Sequence, residues 1–240
     1  MRVLLPAPGT PVIPTRRDAQ RRGNTAVNNG SGICCLNGSM PLITGNRIES
    51  NATGIDGGGI RGVLTLEVLV RIETLLKERL GRGHDFRLCQ FFDYVAGTST
   101  GAIIAAGLAR GMSASELLDF YQEAGPAMFT PPPWYRRLVS LYDPEPLRKA
   151  LQDTFNDGDR VTMLYPRDLE CLLLAVTRNV STDSPWPISS NPRAKYNDPS
   201  RGDCNLAIPL WQIVRASTAA PVYFPPEEIS LGSYSFVFVD

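Results

Sequence analysis

Gly97-Thr98-Ser99-Thr100-Gly101 has the G-x-S-x-G form of a nucleophile elbow, a sharp strand-to-helix turn that exposes a serine hydroxyl. Serine becomes nucleophilic only when a neighbouring base takes its proton, and the usual base is histidine. The chain holds a single histidine, His84, which precedes Ser99. The α/β-hydrolase triad runs serine, acid, histidine along the chain, so it cannot be completed here. Either the motif is fortuitous or the base is a carboxylate. His84, between Gly83 and Asp85, reads as a loop residue without a catalytic role.

A second chemical signal lies upstream. Asp56-Gly57-Gly58-Gly59-Ile60-Arg61-Gly62 fits G-x-G-x-x-G through Gly57, Gly59 and Gly62. Three readings are open. A dinucleotide loop needs a preceding strand and an acidic residue about 20 positions on; Glu78 fits roughly, but residues 49–54 make a poor strand. A plain tight turn before a helix is the second. The third is an oxyanion hole, because glycines let backbone N–H groups approach a ligand and a helix N-terminus aims unpaired donors outward. One such donor is worth about 3 kcal/mol of transition-state stabilisation. Arg61 would add fixed positive charge. A donor loop opening one helix and a serine elbow opening the next would meet at one sheet edge, outside the carboxyl ends of the strands.

The elements that must position these motifs alternate. A helix is predicted after Gly62, with Leu64, Val68, Ile72, Leu75 and Leu76 on its core face, Glu67, Arg71, Glu73 and Lys77 elsewhere, and Gly81 and Gly83 at its end. Residues 91–96 read as a short buried strand feeding the Ser99 turn, and residues 100–108 as a helix of small apolar residues. Ser113 and Glu116 form a capping box opening a helix to about Glu123. Residues 125–146 are proline-rich with Trp134, Tyr135 and Tyr142, a loop or lid whose aromatics suit lipid contact or core packing equally. Asp143 is positioned to cap a helix reaching Phe155. Residues 171–176 are continuously apolar, as in a strand buried on both faces. Residues 179–205 read as a long surface excursion, residues 211–220 as a helix and residues 236–239 as a final strand. This order predicts an α/β fold, a three-layer sandwich with a mostly parallel central sheet. Residues 1–50, rich in Pro, Gly, Asn and Ser, read as an irregular or disordered leader before one domain over residues 51–240.

Bulk properties remove other classes. Lys plus Arg and Asp plus Glu are 24 each, so the formal net charge is zero and no electrostatic footprint for nucleic acid is present. The five cysteines include no C-x-x-C and an adjacent pair, Cys34 and Cys35, a pattern that fits neither a disulfide framework nor a zinc site. A reducing, cytoplasmic setting is expected, and no signal peptide is read before Pro6. Asn156-Asp157-Gly158-Asp159 lacks calcium-loop spacing and reads as a solvated turn.

Taken together, the motifs resemble those of the patatin-like phospholipase family. Residues 56–62 look like its oxyanion motif and residues 97–101 like its nucleophile motif. Arg215-Ala216-Ser217-Thr218-Ala219-Ala220-Pro221-Val222-Tyr223-Phe224-Pro225-Pro226 resembles its following helix-to-loop segment, and Phe238-Val239-Asp240 the opening of its Asp-Gly-Gly/Ala block. The resemblance covers about residues 55–240. It implies a Ser99–Asp240 dyad that hydrolyses lipid acyl esters through an acyl-serine intermediate, with no metal or cofactor. The amides of Gly57, Gly58, Gly59 and Thr100 would hold the oxyanion, and Gly62, Gly97 and Gly101 would be motif glycines. A carboxylate of pKa about 3.9 is a feeble base for serine, which burial and the oxyanion donors offset. Implied partners are a lipid substrate and, transiently, a membrane or lipid-droplet surface. Two departures stand out. The sequence ends at Asp240, where an α-carboxylate adds like charge, so a chain ending there is expected to hold its base poorly. Residues 48–55 are polar where the family has an apolar strand. A non-catalytic lipid-sensing or scaffold module is the alternative from another class.

Overall fold

A computed structural model describes residues 61–128, 131 and 140–240. The expected leader, the polar stretch before the glycine loop, Gly57, Gly58 and Gly59, and Trp134 and Tyr135 lie outside the described residues. In chain order the elements are α1 (Arg61–Leu80), β1 (Tyr94–Thr98), α2 (Thr100–Ala109), α3 (Ala114–Met128), α4 (Pro144–Phe155), β2 (Leu172–Asn179), β3 (Ser184–Ser189), α5 (Leu210–Ser217), β4 (Glu227–Leu231) and β5 (Tyr234–Val239). They form the expected α/β sandwich. Among the described strands the sheet is mixed: β1 and β2 run parallel, while β2 pairs antiparallel with β3 and β5, and β4 with β5.

Helix α2 is buried along its whole length, and its small residues allow close packing on β1 and β2. Helix α5 lies against β2, β4 and β5, and α3 bridges α1 and α4. Local signals set the helix ends. Gly81, at φ +60°, closes α1, with the Arg82 amide donating to the Lys77 carbonyl and the Gly81 amide to that of Glu78. The capping box forms as expected: the Ser113 amide donates to Glu116 Oε2 at 2.7 Å and the Glu116 amide to Ser113 Oγ at 3.1 Å. Asp143 caps α4 through the Glu145 amide at 3.1 Å, with Pro144 in the first turn.

Three expectations need correction. The buried face of α1 is Gly62, Leu66, Leu69, Glu73 and Leu76, whereas Leu64 is 69% and Val68 53% exposed. The helix is apolar on more than one side, and its neighbours choose between them. Gly62 meets Thr100 and the Tyr121 ring, and buried Glu73 is satisfied by Lys77 Nζ at 3.0 Å and the Ala114 amide at 3.3 Å. Residues 179–205 are not wholly a surface excursion, because β3 lies inside them. Its Pro185 and Pro187 are tolerated because β3 pairs with β2 alone among the described strands. Helix α3 also runs on to Met128, with Pro126 in its last turn.

Candidate active site

The turn between β1 and α2 is built as an elbow. Ser99 sits at φ 53° and ψ −131°, outside the regions that L-residues favour, and is 8% exposed. The Ala102 amide donates to the Ser99 carbonyl at 2.9 Å, so helix α2 starts immediately behind the serine. Gly97 makes this possible: a Cβ there would lie 2.1 Å from the carbonyl oxygen of Gly101. Thr100 follows as the first residue of α2, and its carbonyl accepts from the buried Tyr121 hydroxyl at 2.8 Å. The same Tyr121 ring and the Thr100 methyl would each lie 2.8 Å from a Cβ at Gly62. The end of the glycine-rich motif is thereby seated against the elbow. Arg61 opens α1; its side chain lies outside the described residues.

Strand register places Asp240 relative to Ser99. β1 pairs with residues 172–176 of β2, ending at Thr98 opposite Val176. β5 runs the other way and pairs Phe238 with Asn179 and Val239 with Arg178. β3 takes residues 174–179 of β2, overlapping both partners. A strand has only two edges, so β1 and β5 share the edge opposite β3. They approach one another end to end, and the next residue of each, Ser99 and Asp240, reaches the level of Thr177. The structure therefore brings the carboxyl ends of both strands together.

The end of α5 fills the junction. The Ser99 amide donates to Ser217 Oγ at 2.9 Å, and the Ser217 hydroxyl donates to the Val176 carbonyl at 2.6 Å. The Asp240 amide donates to the Ala219 carbonyl at 3.0 Å. Thr177 Oγ1 lies 2.8 Å from the Val239 carbonyl oxygen and 3.3 Å from that of Ala216. Arg215, fully buried, donates from Nη2 to the Pro225 carbonyl at 3.0 Å and lies over the Phe224 ring, securing the loop that follows. Burial pushes its pKa down from the ordinary guanidinium value.

Other candidates resolve simply. His84 is exposed in the turn after α1, and its carbonyl accepts from Arg87. Asp157 is ion-paired with Arg110 and Arg160. Tyr142 stacks on Tyr223 at 5.9 Å and packs against Phe224, on the core side of the choice left open for it. Among the described residues no group of three His, Cys, Asp or Glu side chains could hold a metal ion, and no helix is long and apolar enough to cross a membrane.

Residues 55–240 match the family described as "Patatin-like phospholipase". The chain belongs to the patatin-like phospholipase family. It is 34% identical over 184 residues to an "Intracellular phospholipase A2" of Caenorhabditis elegans, covering 77% of this chain and 15% of that protein. It is also 34% identical over 195 residues to a "cGAMP-activated phospholipase" of Vibrio cholerae, covering 75% and 51%. To "Patatin-17" of Solanum cardiophyllum it is 30% identical over 179 residues, covering 72% and 42%. The chain thus spans about half the length, or less, of these relatives.

Sequence reasoning missed Thr177, Tyr121 and the individual role of Ser217. Ser217 stood inside a segment legible only as a resemblance. A polar residue in the last turn of an otherwise apolar helix face was the available signal.

Proposed function

We propose that the protein is a serine lipid acyl hydrolase that cleaves acyl esters of phospholipids or other glycerolipids with Ser99 as nucleophile and Asp240 as base. The observation that carries this reading is the end-to-end approach of β1 and β5 on one edge of β2, which brings Ser99 and Asp240 to the level of Thr177. Family membership supports the reaction class.

In the proposed reaction the Asp240 carboxylate accepts the Ser99 hydroxyl proton as Oγ attacks the acyl carbonyl carbon. The resulting oxyanion is held by the Thr100 amide and the amides of Gly57, Gly58 and Gly59, with Arg61 adding positive charge. Collapse breaks the acyl–oxygen bond, and the leaving alcohol takes the proton from Asp240. Water then attacks the acyl-serine with Asp240 again as base, releasing the fatty acid and restoring Ser99. The seating of Gly62 against Thr100 and Tyr121 supports the pairing of donor loop and elbow.

We assign the substrate surface to a membrane or lipid droplet reached from the cytoplasm. Leu141, Val222 and Tyr223 are exposed where the amides of Leu141 and Tyr142 donate to the carbonyls of Val222 and Tyr223 in the loop after α5. Cys89 and Cys204 are buried free thiols, which suits a reducing compartment.

Asp240→Asn in the full chain tests the base. The hydrogen bond that its backbone N–H donates to the Ala219 carbonyl survives the change. Fatty-acid release from phosphatidylcholine vesicles is expected to fall roughly 10²–10⁴-fold with the fold retained. Wild-type turnover in this variant would move the base elsewhere.

A further inference from the structure

We propose that Ser217 is a positioning residue for the nucleophile: its hydroxyl fixes the Ser99 amide, so that the end of α5 sets the elbow against the strand that delivers the base. This inference rests on the assignment of Ser99 as nucleophile.

A serine in a helix ordinarily turns its hydroxyl back onto the carbonyl three or four residues earlier. Thr218 does this, donating to the Arg215 carbonyl at 3.1 Å. Ser217 does not. It accepts from the Ser99 amide, 118 residues away in sequence, and donates to the Val176 carbonyl, 41 residues away. Both hydrogen-bonding capacities of one fully buried hydroxyl are thus used to tie the elbow to β2.

The Ser99 amide requires such a partner. At φ 53° the residue is in neither ladder nor helix, and a buried N–H left unpaired is costly. The bond also fixes the residue whose backbone the elbow strains. Ser217 is not itself a nucleophile, because it is fully buried and its proton is engaged by Val176.

The same helix end holds the other side. Ala219 accepts from the Asp240 amide, and Ala216 and Val239 share the Thr177 hydroxyl. Ser217 therefore reaches the turn carrying Ser99, Ala219 reaches Asp240, and Ala216 reaches Thr177 between them. Loss of the Ser217 hydroxyl frees the elbow while leaving the Asp240 contacts intact.

The test uses Ser217→Ala and Ser217→Thr in the full chain, with two readouts: amide hydrogen exchange at Ser99, and kcat and KM for fatty-acid release from phosphatidylcholine vesicles. Ser217→Ala should speed Ser99 exchange and lower kcat roughly 10- to 100-fold, as misplacement of a reacting group does, with KM little changed. Ser217→Thr, which keeps the hydroxyl, should restore both. Should the added methyl prevent folding, Ser217→Cys supplies a weaker acceptor and an intermediate rate. Wild-type kcat or unchanged Ser99 exchange in Ser217→Ala overturns the proposal. So does a kcat loss that a folded Ser217→Thr fails to recover. If the wild-type chain releases no fatty acid, the hydrolase reading fails, and Ser99 exchange alone then decides whether Ser217 holds the elbow.

Discussion

An alanine at position 97 would place its Cβ 2.1 Å from the carbonyl oxygen and 2.3 Å from the carbonyl carbon of Gly101. Neither atom belongs to a flexible side chain, so the first turn of α2 would have to move away from β1. Gly97→Ala is expected to cost about 3 kcal/mol, at the upper end of overpacking effects, measurable as a lowered midpoint in urea unfolding. The elbow was legible in the sequence because sterics restrict which residues can build it. The partners of the elbow were not. Ser217, Thr177 and Tyr121 act through single long-range hydrogen bonds that leave no spacing signature, and only the folded chain reveals which hydroxyl reaches Ser99 and which reaches Val239.

Local signals carried most of the elements. Ser113 and Glu116 mark the start of α3, and the box they make has a measurable pH dependence. The hydrogen bond donated by the Ser113 amide N–H holds the Glu116 carboxyl below the usual carboxylate range. A depressed folded-state pKa contributes stability that is present above the unfolded value and is lost as pH falls through the folded one. Thermal unfolding should therefore reveal a loss of stability on acidification below the ordinary glutamate range, and Glu116→Gln should flatten that part of the profile. Ser113→Ala should lower stability by about 1 kcal/mol at neutral pH. Elements were misread where packing overrode pattern. Leu64 and Val68 looked like core, but the partners of α1 accept Gly62 and a paired Glu73 instead. β3 was hidden by Pro185 and Pro187, and β4 by Glu227, a charged residue at a buried position whose carboxylate accepts from Gln212.

At the scale of the molecule, the sequence order of the motifs matched the family, while the arrangement of the strands could not be read from it. Registers of β1, β3 and β5 on β2 are set by non-local pairing, yet they decide that Ser99 and Asp240 approach from opposite directions along one edge. In the proposed mechanism this register is what lets Asp240 serve Ser99 without a histidine. Treating the full chain with a fluorophosphonate and mapping the modified peptide by mass spectrometry tests the assignment of Ser99 as the nucleophile directly. A phosphonyl adduct is expected on Ser99 and absent from Ser99→Ala. An adduct formed equally in Ser99→Ala, or carried by another serine of the wild-type chain, would contradict it.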